Sequence, residues 1–570
     1  MSWYRYCLLL LCLLPALAWA DEPLLQVQQK LRPEFQSLAG SRKVPGLSIA
    51  LVVDGRARWV ESFGYADRNL RRPLRNDSRH NLGDLSKIFV AALAARLAAA
   101  GKVDLAVPLT RYLPDLRIAG GDTAAVNLTR LLTHHAGLPA NQLAGMYYEA
   151  GTAAGVASLP PQALYFAQPP GSVYAYSNIG LELAAQALAA AGAASYAQLL
   201  QDQVLTPLGL VQTGFAPRED DAQGHRKGKP IAPPVLAREQ AALGLRGSIA
   251  DLARLAEQLT APVPQLDLSS LLQPYNRDSL LDLDYRNGLA FSLFADRRPQ
   301  VGTLARLSSL YPGARGRIDI ALDQRTAVIV LANGADAGDA VDETIDALLD
   351  AWLQAAHAIA PREAKAGLPV RAEWPAAARP DSAARYYSSA AGLVALTPDG
   401  DDFDVRVLGL RFSAERRDDG WFRLHLRLLG VPLDLGPLRR VLVAPAVVAQ
   451  QRVLIVWAAR RSYLIGSAWQ PPPLPAAVQA LAGSYRLLNP DSLTTELGIA
   501  RLQLELDDGV LSASYPLDIP LLRTRVPLQP EGDDALRVPG IGSIVGERLR
   551  LERADGRTRL HYSGYVFERE

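Results

Sequence analysis

Leu82-Gly83-Asp84-Leu85-Ser86-Lys87-Ile88-Phe89-Val90-Ala91-Ala92-Leu93 is the stretch on which the fold of this chain turns. It reads as the opening of a helix from about Leu85 to Ala100, stopped at Gly101, because glycine at positive φ suits a helix C-terminus. Asp84 and Lys87 stand three residues apart, and residues at that spacing share one helix face, so their side chains can touch. Aspartate just before a helix also fits an N-cap, favoured over alanine by about 0.5–2 kcal/mol. An ionised Asp84 beside Lys87 is expected to favour the ammonium and raise the lysine's pKa. Ser86 lies two residues along the helix, which turns it away from Asp84 and toward a core.

Working outward, Val44 to Tyr65 reads as two strands joined at Asp54-Gly55, a hairpin. Helical patterns follow at residues 127–133, 178–191, 196–204, 249–259 and 342–358, and strand patterns return at 317–322 and 327–332. Strands at both ends enclosing a helical middle predict one antiparallel sheet built from both termini with a helical subdomain, an α/β (α+β) architecture. A Pro/Ala/Arg-rich linker is expected over 361–381, followed by short alternating strands. The run Gln470-Pro471-Pro472-Pro473-Leu474-Pro475 divides these strands in two. The expected organisation is therefore a main domain at 21–360, one small all-β module at 382–469, a Pro-rich linker at 470–478 and a second all-β module at 479–570. Each module is a barrel or sandwich.

The first 20 residues have the form of a signal peptide: Arg5, an apolar run from Cys7 to Ala18, and Ala18-Trp19-Ala20 before a cut at Asp21. A periplasmic or secreted location follows as an expectation. Both cysteines, Cys7 and Cys12, lie in this segment, so the mature chain is expected to have no thiol, disulfide or zinc-cysteine chemistry. The 60 basic and 58 acidic residues are dispersed and nearly cancel, which argues against a nucleic-acid footprint. The apolar stretch Val441 to Ala459 is broken by Gln450-Gln451-Arg452 and reads as two strands around a turn. No membrane span is expected in the mature chain.

Five segments, taken together and in order, resemble the serine β-lactamase and penicillin-binding protein superfamily, in particular its class C and esterase-like branch. They are Leu82-Gly83-Asp84-Leu85-Ser86-Lys87; Gly101-Lys102-Val103-Asp104-Leu105 with Tyr112-Leu113-Pro114; Leu131 to Pro139; Pro169 to Asn178 with its Tyr-x-Asn; and Ala242 to Ala253. The resemblance covers Val44 to Ala360 and implies a β-lactamase/transpeptidase-like fold. It also implies an acyl-transfer site in which a serine is activated by a lysine one turn later, with a tyrosine assisting. Here Asp84 stands at the serine position, and none of the seven lysines is preceded three places earlier by serine. The third motif, Lys or His followed by Ser/Thr and Gly, is also missing, and Leu307-Ser308-Ser309 stands in its place.

Carried over residue by residue, the resemblance implies Lys87 and Tyr176 at the catalytic positions, vestigial or repurposed, and a ligand cleft lined by Asp84, Asn178, Ser308 and Ser309. Backbone oxyanion donors are expected to survive, since they depend on backbone path. His134-His135 reads as a loop-stabilising pair, with no metal site. Gly540-Ile541-Gly542-Ser543-Ile544-Val545-Gly546 reads as a turn between strands. No cofactor is expected. Two functions are open: a pseudoenzyme binding a cell-wall (peptidoglycan) fragment, peptide or protein, or a hydrolase of altered chemistry in which Asp84, Lys87 and Tyr176 activate water on an ester or amide.

Overall fold

A computed structural model describes residues 22–149, 160–231, 235–296, 298–362, 368–369, 371–428, 431–433, 440–458, 461–496, 498–516 and 523–570. The signal peptide expected at 1–20 and part of the linker expected at 361–381 lie outside these residues. In chain order the main elements are α1 (Glu22–Leu38), β1 (Gly46–Val53), β2 (Arg56–Asp67), β3 (Arg72–Pro73), α2 (Ser86–Ala99), α3 (Asn178–Gly192) and α4 (Ile249–Thr260). Then come β4 (Arg286–Asn287), β5 (Ser292–Ala295), β6 (Thr303–Tyr311), β7 (Ala314–Ala321), β8 (Thr326–Ala332) and α5 (Gly338–His357). The strands form one antiparallel sheet in the order β4-β5-β6-β7-β8-β1-β2-β3, so the first and last strands of the domain meet at β1 and β8.

The sheet is covered on both faces, and alternation along β1 shows how. Leu47, Ile49 and Leu51 pack with Val328 and Val330 against α1 and α5. Ala50 and Val52 point the other way, to the core formed with α2, α3 and α4. Helix α2 is buried on nearly all sides, from Ser86 through Ala95, which is why its sequence is apolar all round and lacks a polar stripe. Among the described residues no single helix is long and apolar enough to cross a membrane. The β-lactamase/transpeptidase-like architecture expected above is the one observed.

Both C-terminal modules are closed eight-stranded barrels. The first runs from strand Tyr386–Ser389 to strand Arg461–Ala468 and closes where these two pair. Strands Phe422–Leu428 and Leu442–Val448 also pair, bridging the gap in its middle. The second runs from Gly483–Leu487 to Tyr565–Arg569, again closed by pairing of first and last strands. The apolar stretch at 441–459 is a hairpin, Leu442–Val448 with Gln451–Ala458. Apart from the exposed Gln450, Gln451 and Arg452 at its turn it is apolar, because both of its faces are covered. Leu454 faces the barrel interior, while Leu442, Ala444, Val453, Ile455 and Trp457 pack outward against Val173, Leu281 and Leu283 of the main domain.

The second barrel docks through the loop Gly540–Gly546. A Cβ at Gly546 would lie 1.9 Å from the Ala167 carbonyl oxygen, and its φ is +82°, so only glycine fits this approach. Gln168 Nε2 donates to the carbonyls of Gly540 and Val545, at 3.2 and 3.0 Å. Next to this loop, Glu547 is buried and accepts from the Ala140 backbone N–H at 3.1 Å and the Tyr165 hydroxyl at 3.3 Å. Burial pushes its carboxyl up to about 7, above the ordinary carboxylate value. A raised folded-state pKa contributes stability that is complete below the unfolded value of about 4.3 and is lost as pH rises through the folded one. The thermal midpoint should therefore fall between about pH 5 and pH 8, and Glu547→Gln should flatten the fall. Glu182, also pushed up to about 7 by burial, should leave a residual slope. A Glu547→Gln profile parallel to that of the parent chain would show that this carboxyl does not titrate in the window.

Candidate functional site

The sequence Leu82-Gly83-Asp84-Leu85 makes a single 3-10 turn leading into α2. This turn is pinned to β6. Gly83 has φ +50°, and a Cβ there would sit 2.5 Å from Ser309 Oγ. Ser309 Oγ donates to the Leu82 carbonyl at 2.6 Å. Strand β5 pairs with β6 only as far as Arg306, so beyond that point the β6 edge faces the turn. The Leu310 N–H donates from this edge to Asp84 Oδ2 at 3.0 Å.

Asp84 is the hub. Its Oδ1 accepts from Lys87 Nζ at 2.5 Å and from the Tyr176 hydroxyl at 2.6 Å. Lys87 Nζ also reaches the Tyr176 oxygen at 3.1 Å and the Ala242 carbonyl at 3.5 Å. Lys87 Nζ thus has three oxygens within reach, as many as an ammonium has N–H bonds. The Lys87 side chain is 1% exposed and that of Asp84 12%. Burial works to raise the Asp84 pKa, but the Lys87 charge, the Leu310 N–H and the two side-chain hydrogen bonds outweigh it and hold the carboxyl below its ordinary range. Burial draws the Lys87 ammonium below its ordinary value, with Asp84 opposing.

Two expectations are corrected here. The pKa of Lys87 moves down, because desolvation of a fully buried ammonium exceeds the pull of one carboxylate. Asp84 is also no helix cap. It lies inside the 3-10 turn, the residue at the α2 N-cap is Leu85, and the carboxylate is spent on partners from elsewhere in the chain. The Leu310 N–H, a backbone donor of the kind that stabilises an oxyanion, is itself occupied by Asp84.

Tyr176 is held by four neighbours, Asp84 and Lys87 among them. Besides Asp84 it faces Asn178 Oδ1 at 2.9 Å, and its ring lies 4.9 Å from that of His134. Burial and the Asp84 charge raise its pKa well above the ordinary phenol value, so it is a proton donor and not a phenolate. His134 is pushed down to about 3 by burial and the nearby Lys87 charge, and its Nδ1 accepts the Ser177 N–H at 3.1 Å. His135 bridges Thr133 and Asp282. Both histidines brace loops, and among the described residues no group of three or more His, Cys, Asp or Glu is arranged to hold a metal. Ser86 is buried and accepts the Leu245 N–H at 3.1 Å.

Asp84, Lys87, Tyr176 and Ser308 line one cleft of about 350 Å³. Asn178 supports Tyr176 from behind, donating to Asn141 at 2.8 Å. Ser309 is turned away from the cleft, because strand alternation puts it on the face opposite exposed Ser308. Sequence reasoning missed several residues of this region. Arg306 lines the cleft with its guanidinium fixed on both oxygens of buried Asp319. Arg461 and Tyr463 arrive from the first barrel. Ser543, from the glycine-rich loop of the second barrel, accepts the Tyr176 N–H at 3.2 Å. Only the alternating pattern at 461–468 and the glycine spacing of that loop carried any signal.

The Beta-lactamase family model matches residues 31–351. A beta-lactamase of Pseudomonas fluorescens is 31% identical over 241 residues, which cover 40% of this chain and 64% of that protein. The D-alanyl-D-alanine-carboxypeptidase/endopeptidase AmpH of Escherichia coli K12 is 31% identical over 179 residues, covering 30% of this chain and 46% of AmpH. Esterase EstB of Burkholderia gladioli is 30% identical over 211 residues, 34% of this chain and 52% of the esterase. The chain thus spans less than two thirds of the length of these curated relatives. The crystal structure of SurE shares the fold, with a TM-score of 0.53 at 19% identity, covering 77% of this chain and 99% of that one. With the sheet, the helical subdomain and the matched segment all falling in the first 360 residues, the chain belongs to the Beta-lactamase family.

Proposed function

We propose that this protein is an exported, non-hydrolysing family member whose cleft binds a cell-wall fragment, peptide or protein. One observation carries the reading: both oxygens of Asp84 are engaged within the protein, by Lys87, Tyr176 and the Leu310 N–H. A carboxylate at this position is a poor acyl acceptor, because its acyl adduct would be a reactive anhydride. Among the described residues the groups beside it are engaged: Lys87 Nζ by Asp84, Tyr176 and the Ala242 carbonyl, while Tyr176 stays a phenol.

The second reading, hydrolysis by an Asp84-activated water, needs a carboxylate near the operating pH. The Asp84 pKa is instead depressed and the carboxylate is enclosed. What the cleft offers a ligand is recognition: exposed Ser308, the fixed guanidinium of Arg306, and Arg461 and Tyr463 reaching in from the first barrel.

A fluorescent penicillin or a fluorophosphonate probe should leave the purified protein unlabelled, and a stoichiometric adduct on any serine would overturn the proposal. Asp84→Ser restores Ser-x-x-Lys but leaves Leu307-Ser308-Ser309 unchanged, so slow, weak acylation is expected. Rapid nitrocefin turnover by this single variant would show that the third motif is dispensable. Lys87→Met strands a buried carboxylate and should cost about 3–5 kcal/mol in denaturant unfolding at neutral pH. Asp84→Asn combined with Lys87→Met should recover much of that loss. A double variant as unstable as the single would mean that the ion pair is not what couples the two residues.

A further inference from the structure

The interior of the first barrel holds a cavity of about 530 Å³. Its wall is almost wholly apolar, with Val405, Phe412, Ala414, Phe422, Val443 and Leu454 among the inward-facing side chains. An eight-stranded barrel is just wide enough either to be filled by its own side chains or to hold one small ligand. The two barrels differ in this respect. In the second, inward residues from every quarter, among them Tyr485, Leu511, Leu528, Leu549 and Phe567, form one continuous core. In the first, the inward cluster around Tyr387, Val394, Phe412 and Leu454 leaves a space in the size range of ligand sites, roughly 300–1,000 Å³.

The cavity adjoins the Asp84 cleft. Tyr174, Tyr285 and Tyr463 belong to the walls of both. These three rings stand in a row along the boundary between the two spaces, with centroids 5.2 and 6.4 Å apart. On its cleft side lies Arg461. Its guanidinium sits 3.7 Å above the Phe294 ring and donates to the Ala295 carbonyl at 3.1 Å. Its Nε is buried and has no hydrogen-bond partner among the described residues. No carboxylate lies within ion-pair distance of it there, in contrast to Arg306, which is paired with Asp319. Burial lowers the Arg461 pKa, with the Tyr463 hydroxyl and the Asp296 charge opposing.

From this geometry we infer that the first barrel binds the apolar chain of a single-chain anionic amphiphile, with the anionic head at the tyrosine partition beside Arg461. The tail removes apolar wall from a space that the barrel's own side chains do not fill. A head that passes between the rings of the partition would reach the Arg461 guanidinium, whose Nε has no acceptor among the described residues. The tail site adds to the binding reading above and does not rest on it. Labelling of the cleft by penicillin would end that reading and leave this one standing.

The test uses the full chain, titrated with the fluorescent fatty-acid analogue dansyl-undecanoate and then with unlabelled fatty acids from hexanoate to palmitate as competitors. Saturable one-to-one binding is expected, tightening roughly three- to fourfold per added methylene until the cavity is full. Absence of saturable binding, or affinity independent of chain length, would overturn the proposal. Ala414→Phe places a ring in the cavity and should weaken binding at least roughly tenfold while circular dichroism stays unchanged. Undiminished binding by this folded variant would place the probe elsewhere and sink the assignment. Should the variant not fold, the chain-length series on the parent protein decides. Arg461→Gln should weaken carboxylate competitors and leave dodecanol unaffected; equal loss for both would remove the head from Arg461.

Discussion

The site depends on keeping two opposite charges, Asp84 and Lys87, out of water at 2.5 Å. A buried pair of this kind is tolerable only when every remaining donor and acceptor is met, since desolvating each ion costs several kcal/mol. That requirement ties together parts of the chain that are remote in sequence. The 3-10 turn and the start of α2 supply the pair, the free edge of β6 supplies the Leu310 N–H, the segment before α3 supplies Tyr176, and the short helix Gln240–Leu243 supplies the Ala242 carbonyl. None of these can shift without leaving a buried charge short of a partner. The curated relatives named above are a beta-lactamase, a carboxypeptidase/endopeptidase and an esterase.

Features set by neighbours in the sequence were legible, and features set by distant partners were not. The hairpin at Asp54-Gly55, the helix stopped before Gly101 and the turn at Ala449-Gln450 are local, and each is found within a residue of where local chemistry puts it. The capping role read for Asp84 failed because its decisive partner, Leu310, lies 226 residues away. The direction of the Lys87 shift failed for a related reason. A sequence shows the carboxylate one turn off but not the depth of burial, and burial is the larger effect. Ser309 was misplaced because adjacent serines on a strand face opposite ways, and only the observed register tells which one faces the cleft. Arg461 and Tyr463 were invisible as site residues, since nothing in an alternating strand says which neighbour its barrel will lean on.

The cleft is composite. Its floor is the ion pair, one wall is β6, and further side chains come from the first barrel, while Ser543 of the second barrel braces the backbone of Tyr176. The glycine-rich loop that carries Ser543 runs between all three bodies. Pro539 accepts from Ser388 of the first barrel, Gly546 lies against Ala167, and Ile541 packs with the outer face of the first barrel. Gly540 and Gly546 serve close approach to Ser388 and Ala167, which explains why the segment has the look of a functional loop without matching any phosphate or nucleophile motif.

The hairpin Leu442–Val448 with Gln451–Ala458 has a bearing on how such a chain is made. With one face turned into its barrel and the other onto Val173, Leu281 and Leu283, it has no side suited to water. During synthesis the main domain emerges first, so its landing surface is in place before this strand pair appears. The order of the domains along the polypeptide thus acts as a built-in assembly schedule. A gene rearrangement placing the barrel ahead of its platform would encode the same contacts and a far stickier nascent chain.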